Sequence, residues 1–482
     1  MSPLLVFLVI SIYFTLLFVV AIITSKGADT ATFFNAHKKS PWFLVAFGMI
    51  GASISGVTFI SVPGMVKTEQ FSYYQMVLGY LLGYSAIAFI LMPVYYKLNL
   101  VSIYKYLGER FGIASHKTGS ALFLISRTVG ASFRLYIAAI VLQIAFFNSF
   151  NIPFFVTVFV IIFLIWLYTK KAGIKTLVYT DTLQTTFLIS AVIASIWIIA
   201  KTINLSFSDL LTTVKNSQYS KIFFWDWRDK HFFVKDFLSG AFIAFVMTGL
   251  DQDLMQKNLT CKNLKDAQKN VISLSIILLF VNLFFLSLGV LLYEYASFNN
   301  IALPSKSDDL FPTLAIKYFG GFAGVVFLVG IVASTFASAD SALTSLTTST
   351  AIDFLKFDIN DNSKKNVRKK DFIHIGVSIV IIIVIIIFSA INDQSVINQI
   401  FKVAGYTYGP LLGLFIFGLA TKFKPIDKFV PYIAFASPFL TYFFTKLIEK
   451  NTSYKFGYEL LMLNGLLTFL GLYVLSILNN EK

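Results

Sequence analysis

Five hydroxyl residues fall at regular spacing in a stretch that is otherwise apolar. Ser334, Ser338, Ser341, Ser345 and Thr348 lie 4, 3, 4 and 3 residues apart within GIVASTFASADSALTSLTTSTAIDF, 330–354. At about 100° per residue, a helix gathers such positions onto one narrow face. A stripe of this kind at membrane depth either lets helices approach closely or offers hard oxygen ligands to a small cation. A second unusual stretch is GASISGVTFISVPG, Gly51 to Gly64, with three glycines and a proline in fourteen residues. That composition disfavours an unbroken helix. A break inside hydrocarbon persists only where the freed main-chain groups meet protein, water or a ligand. Carbonyls exposed there can coordinate a cation; a glycine packing contact or a simple kink is the alternative. Four charges complete the set: Arg127 and Arg134, seven residues apart and so on one helical face, Asp181, and Asp340, about 120° from the hydroxyl stripe. Charges at this depth are rare and either pair with one another or serve function. An arginine left without a carboxylate partner would be a bidentate clamp for a carboxylate ligand.

The elements that must carry these residues are membrane helices. The chain has 482 residues, 57% hydrophobic and 13% charged, with a mean hydropathy of +0.77. Charged residues are about half as frequent as in an average soluble domain. Apolar runs of about twenty residues, enough to cross a bilayer, recur along the chain. They predict thirteen spans, at 4–24, 42–66, 72–96, 118–147, 152–169, 176–200, 236–256, 270–293, 313–354, 372–391, 397–420, 429–447 and 457–478. The expected class is an all-α polytopic membrane protein forming a single membrane domain over 1–482. The first run has no basic residue before it and no small-residue cleavage site after it, so it reads as a retained span rather than a leader.

Charge placement restricts partners and orientation. The net charge is +15, but the basic residues sit in short loops between spans, which argues for a lipid bilayer and against nucleic acid. With the N-terminus outside, the cytoplasmic segments hold 24 Lys and Arg and the external ones 12, six of them in the long 201–235 loop. The expectation is an inner-membrane protein with the N-terminus outside and the C-terminus in the cytoplasm. A single cysteine, Cys261, excludes a disulfide framework. The four histidines (His37, His116, His231, His374) lack metal-ligand spacing, and no His, Cys and carboxylate cluster suggests an enzyme.

Six blocks in order resemble the sodium/solute symporter family, which includes proline permeases, sodium–glucose cotransporters and bacterial sialic acid transporters. They are ASISGVTFISVPG (52–64), LNLVSIYKYLGERFG (98–112), YTDTLQT (179–185), LDQDLMQKNLTCK (250–262), ASADSALTSLTTSTAIDF (337–354) and GYTYGPLLGLFIFG (405–418). The resemblance implies a LeuT-like five-plus-five inverted repeat, with 42–200 and 236–420 as the halves, one extra helix at 4–24 and two at 429–478. It implies a second broken helix near Gly249–Gln252. It puts a main sodium site on the carbonyls of Gly51, Ile54 and Ser334 and on side chains at positions 337 and 338. Position 338 is Ser, but Ala337 lacks the hydroxyl the pattern wants. A second sodium site would use Asp181, Ser338 and Ser341. Arg134 lies where sialic acid transporters of the family hold a carboxylate. Gln75, Ser53, Ser55 and Thr58 are further polar candidates for the solute, and Phe59 and Phe245 candidates for stacking or gating. The implied activity is sodium-coupled import of a small organic solute bearing a carboxylate, by alternating access, with no obligate protein partner. A neutral sugar or polyol symporter and an ion channel are the alternatives.

Overall fold

The computed structural model describes residues 3–171, 173–391, 396–452, 454 and 456–480. Within them the apolar runs form thirteen rods. The first six are α1 (Pro3–Thr24), α2 (Trp42–Ser53 and Gly56–Glu69), α3 (Tyr73–Lys97), α4 (Ile113–Ala145), α5 (Phe154–Thr169) and α6 (Ile174–Thr202). The others are α7 (Phe233–Gly249 and Gln252–Asn258), α8 (Leu264–Phe298), α9 (Gly321–Phe354), α10 (Lys364–Ile391), α11 (Val396–Ala420), α12 (Val430–Asn451) and α13 (Leu460–Asn480). Nine are single helices long and apolar enough to cross a membrane, and α2 and α7 reach that length as bent pairs. Rods of this kind belong in lipid, because each satisfies its own main-chain hydrogen bonds.

One expected span is divided. The run 313–354 is two helices, Leu310–Lys317 and α9, separated at Gly320, whose φ of +87° suits glycine alone. α9 is the most enclosed rod: 78% of its most apolar stretch is buried, against 28% for α1 and α10. It packs along α6 and α4 and touches both halves of α2. Small residues permit such close contact elsewhere too. A Cβ on Gly79 of α3 would come within 2.0 Å of the Phe237 carbonyl of α7, and one on Gly240 within 2.0 Å of the Met76 carbonyl. The two backbones therefore touch where α3 and α7 cross.

Both breaks occur where the sequence weakens the helix, but they are built differently. In α2 the chain leaves helical geometry at Ile54 (φ −91°, ψ 86°), and the two halves meet at 59°. Gly56 restarts the helix against α9, where a Cβ would lie 2.1 Å from the Thr335 hydroxyl oxygen. In α7 the helix widens into a π-turn at Phe245–Gly249, stops, and resumes at Gln252 with a bend of 71°. Asp251 caps the new half by accepting the Asp253 N–H at 2.8 Å.

The loop between α6 and α7 folds back over one end of the bundle. Gln75 anchors it, donating to the His231 carbonyl (2.8 Å) and accepting the Phe224 N–H (3.0 Å). His231 sits between Glu69 of α2, to which it hydrogen-bonds, and Asp236 of α7, at 3.3 Å. Burial opposes its charged form, but the bonds to Asp236 and Glu69 outweigh that and hold its pKa up to about 9. A raised pKa stabilises the docked loop fully below about 6.5 and is lost as pH climbs through the folded value. Amide exchange across 221–232, corrected for intrinsic rate, should therefore lose protection as pH passes about 9. In His231→Phe that pH-dependent step should be absent.

Candidate ion and solute site

The two breaks differ in how their carbonyls are satisfied. At the α7 break the Gly249 carbonyl accepts the Tyr95 hydroxyl and the Leu250 carbonyl accepts the Tyr104 hydroxyl, each at 2.9 Å. Gln252 accepts the Ile103 N–H at 2.9 Å and donates to the Val101 carbonyl at 2.7 Å. That break is sealed by protein. At the α2 break, among the described residues, no main-chain N–H reaches the carbonyls of Gly51, Ala52, Ser53 or Ile54. The Gly51 N–H is instead held by the Thr185 hydroxyl of α6 at 3.0 Å. Buried carbonyls with no donor are rare, and here they lie beside the α9 hydroxyls.

Those hydroxyls are not free to the same degree. Ser334, Ser338, Ser341, Ser345 and Thr348 are all buried, as are Gly51, Ile54 and Ala337. Ser334 donates to its own helix at the Ile331 carbonyl, 2.9 Å. The Ser338 hydroxyl accepts Arg134 Nη1 at 3.2 Å, so a guanidinium stands at the oxygen expected to face sodium. Ser341, expected to turn toward Asp181, donates instead to Asp253. Thr335 was not anticipated: its hydroxyl is buried, lacks a partner among the described residues and lies against Gly56.

The in-span charges pair outside their own set. Arg127 is bound to Asp253, at the start of the second half of α7. Asp181 is bound to Lys257 of the same half-helix at 2.5 Å, with both side chains 1% exposed. Lys257, counted from sequence with the cytoplasmic loop charges, is thus in the core. Asp340 accepts the Tyr168 hydroxyl of α5 at 2.6 Å. Asp251 accepts the Tyr408 hydroxyl of α11. Arg134 has no carboxylate within ion-pair distance among the described residues, and its Nε is buried without a partner. Asp251 and Asp253 lie at the end of the expected 236–256 span and Lys257 just past it, in a polar run whose partners the sequence does not reveal; only the resemblance marked a break near Gly249.

A cavity of about 110 Å³ lies beside the α2 break, walled by Ser53, Ser55 and Thr58 of α2, Arg134 of α4, and Tyr84 and Thr248. Asn282 of α8 also lines it, with a buried Oδ1 that lacks a donor among the described residues. Tyr73 links it to a wider vestibule of about 500 Å³ bounded by Glu69, His231 and Asp236. The opening therefore faces the end that carries the 201–235 loop. At the opposite end Asp353 collects His116 (2.9 Å) and the hydroxyls of Ser102 (2.9 Å), Ser120 (2.8 Å) and Ser349 (2.6 Å), closing the bundle.

Three expected solute contacts are elsewhere. Gln75 is fully buried in the loop anchor, because its amide is consumed by main-chain groups of 224 and 231. Phe59 is packed among Phe285, Phe311 and Phe327. Phe245 lies buried in the α7 π-turn and does not line the cavity.

Comparison with known proteins agrees with this architecture. The model of the sodium:solute symporter family matches residues 33–423. The sodium/sialic acid symporter NanT of Aliivibrio fischeri is 25% identical over 417 residues, covering 82% of this chain and 78% of that protein. The sodium/sialic acid symporter SiaT of Proteus mirabilis is 23% identical over 435 residues, covering 85% and 83%. A solved structure of the substrate-bound, outward-open state of a Na+-coupled sialic acid symporter superposes with a TM-score of 0.81 at 18% identity, covering 98% of both chains.

The Arg127–Asp253 pair gives a direct energetic test. Removing one member of a buried pair typically costs about 3–5 kcal/mol, whereas replacing both with apolar residues can be close to neutral. Arg127→Met and Asp253→Leu should each lower the thermal midpoint in detergent, and the double variant should recover most of the loss. Additive losses in the double variant would show that the pair does not stabilise the fold as a unit.

Proposed function

The chain belongs to the sodium:solute symporter family, and from that premise we propose that the solute it carries inward with sodium is a small organic anion bearing a carboxylate. The observation that carries the reading is Arg134, which lines the cavity, has an unpartnered Nε and touches Ser338. A planar guanidinium offers two parallel donors to a carboxylate. Asn282 Oδ1 adds an acceptor on the same cavity, suited to a hydroxyl or amine of the solute. The relatives named above are described as sialic acid symporters, and sialic acid carries both kinds of group.

Sodium would sit between the carbonyls of Gly51 and Ile54 and the turn of α9 bearing Ser334 and Ser338. Hard oxygen donors of this kind suit a small alkali cation. Thr335, unpartnered against Gly56, is available to supply the oxygen that Ala337 lacks. Coupling then follows from electrostatics. While Arg134 is bonded to Ser338, its charge repels a cation there. A carboxylate solute draws the guanidinium toward the cavity and neutralises it, and sodium can take the hydroxyl. Each ligand thereby favours the other, as reciprocal linkage requires.

In this reading 42–200 and 236–420 are the two inverted halves, each opening with a broken helix. The vestibule faces outside, the Asp353 cluster closes the cytoplasmic end, and the termini lie outside and inside respectively. In proteoliposomes, uptake of sialic acid or a short monocarboxylate should require inward sodium, and equal uptake with potassium alone would defeat the coupling. Ser338→Ala should raise the sodium concentration for half-maximal uptake by about tenfold, a loss of about 1.4 kcal/mol, with solute affinity at saturating sodium little changed. Arg134→Ala should abolish carboxylate uptake. Transport of a neutral polyol, indifferent to Arg134→Ala, would replace the anionic solute with an uncharged one.

A further inference from the structure

We propose that the ammonium of Lys257 is a built-in cation that occupies the carboxylate of Asp181 and thereby limits the symporter to one bound sodium. The inference rests on the sodium site proposed above but concerns a different carboxylate. Asp181 and Thr185 are four residues apart on α6, one turn of the same face. Thr185 grips Gly51 at the α2 break, and a Cβ on Gly48 would lie 2.9 Å from Asp181 Cβ. Asp181 is therefore packed directly under the first half of α2, in the crevice that the ion site shares. A buried carboxylate in that crevice needs a counter-cation. Lys257 supplies it from the second half of α7, at 2.5 Å and out of contact with solvent.

Three features make the lysine a tethered occupant rather than a passing partner. Its half-helix is pinned at both ends of a turn, by Gln252 to the Val101 carbonyl and by Gln256 to the Phe34 carbonyl (2.7 Å) and the Thr348 hydroxyl (2.9 Å). Only Asp181 Oδ2 takes the ammonium, and Oδ1 is buried with no donor, so the carboxylate keeps an oxygen that would coordinate a metal ion if the ammonium left. The α9 hydroxyl expected to complete a cage there, Ser341, is committed to Asp253. An ammonium and a sodium ion carry the same charge and prefer the same oxygens. A second cation beside the ammonium would be repelled at close range with little water to screen it.

The test uses sodium alone, so it does not depend on knowing the solute. Equilibrium binding of radioactive sodium to the full chain in detergent, carried to saturation because Arg134 opposes the ion without solute, should give one ion per protein, bound about tenfold more weakly in Ser338→Ala and unchanged in Asp181→Asn. Lys257→Met, which keeps the length and removes the charge, should bind two ions, and Lys257→Met with Asp181→Asn should return to one. Lys257→Gln serves equally should the methionine variant fold poorly. Two ions on the unaltered chain, one ion whose affinity is untouched by Ser338→Ala but lost in Asp181→Asn, or a single ion still bound by the Lys257 variants would each overturn the inference. An unaltered chain that binds no sodium would refute the main site proposed above. A Lys257 variant that then gained one ion at Asp181 would still support the tethered cation.

Discussion

Within hydrocarbon no water is at hand to satisfy a polar atom, so every freed carbonyl and every charge must find its partner inside the protein. That requirement decides which parts of this bundle are rigid and which are poised to bind. The α7 break meets it with tyrosine hydroxyls and a glutamine, and is closed. The α2 break leaves its carbonyls without main-chain donors, beside a helix whose facing turn is rich in hydroxyls. Of the two bent helices among the described residues, α2 alone keeps main-chain oxygen to spare.

The same requirement sorts the charges. Arg127 and Lys257 are each committed to an aspartate through short contacts between α7 and the helices it packs against. They join the second half of α7 to α4 and α6, so that half-helix cannot move alone without exposing a charge. Arg134 has no such commitment and makes its recorded bond to a neutral hydroxyl. A bond between a guanidinium and a serine in a cavity is readily exchanged for a carboxylate, because the charge-assisted pair is the stronger of the two. The structure thus separates charges that hold the scaffold from one that can answer a ligand.

Much of this was legible in the sequence, because its signals are local. Three glycines and a proline between Gly51 and Gly64 announced a break, and the 4-3-4-3 spacing from Ser334 to Thr348 announced a buried polar face. Arg134 lies on α4 as expected, and Asp340, expected about 120° from the stripe, bonds to Tyr168 of α5. What stayed hidden depends on tertiary partners. Nothing near Arg127 indicated that Asp253, 126 residues away, would neutralise it. Lys257 resembled a topology-setting loop charge, since it lies just past the expected 236–256 span and only the fold draws it inward. Gln75 resembled a solute contact because polar residues in spans usually face a cavity, yet a returning loop consumed its amide. The split at Gly320 escaped notice because one glycine inside an apolar run does not report its φ.

The number of free cation positions also sets what the machine can do. One sodium ion crossing about 100 mV releases about 2.3 kcal/mol, and a tenfold gradient adds about 1.4 kcal/mol. Together they sustain roughly 500-fold accumulation of a neutral solute, and less of an anion, whose own charge moves against the potential. A carboxylate carried with a single sodium crosses as a neutral pair, so the membrane potential drops out and the chemical gradient alone drives uptake, at about tenfold. A second ion would restore the electrical term. Lys257, by filling the position at Asp181 with a charge that never leaves, would trade concentrating power for a cycle that runs at any membrane potential. On that proposal the buried ammonium would decide more than local stability: it would determine whether the voltage across the membrane takes part in the work.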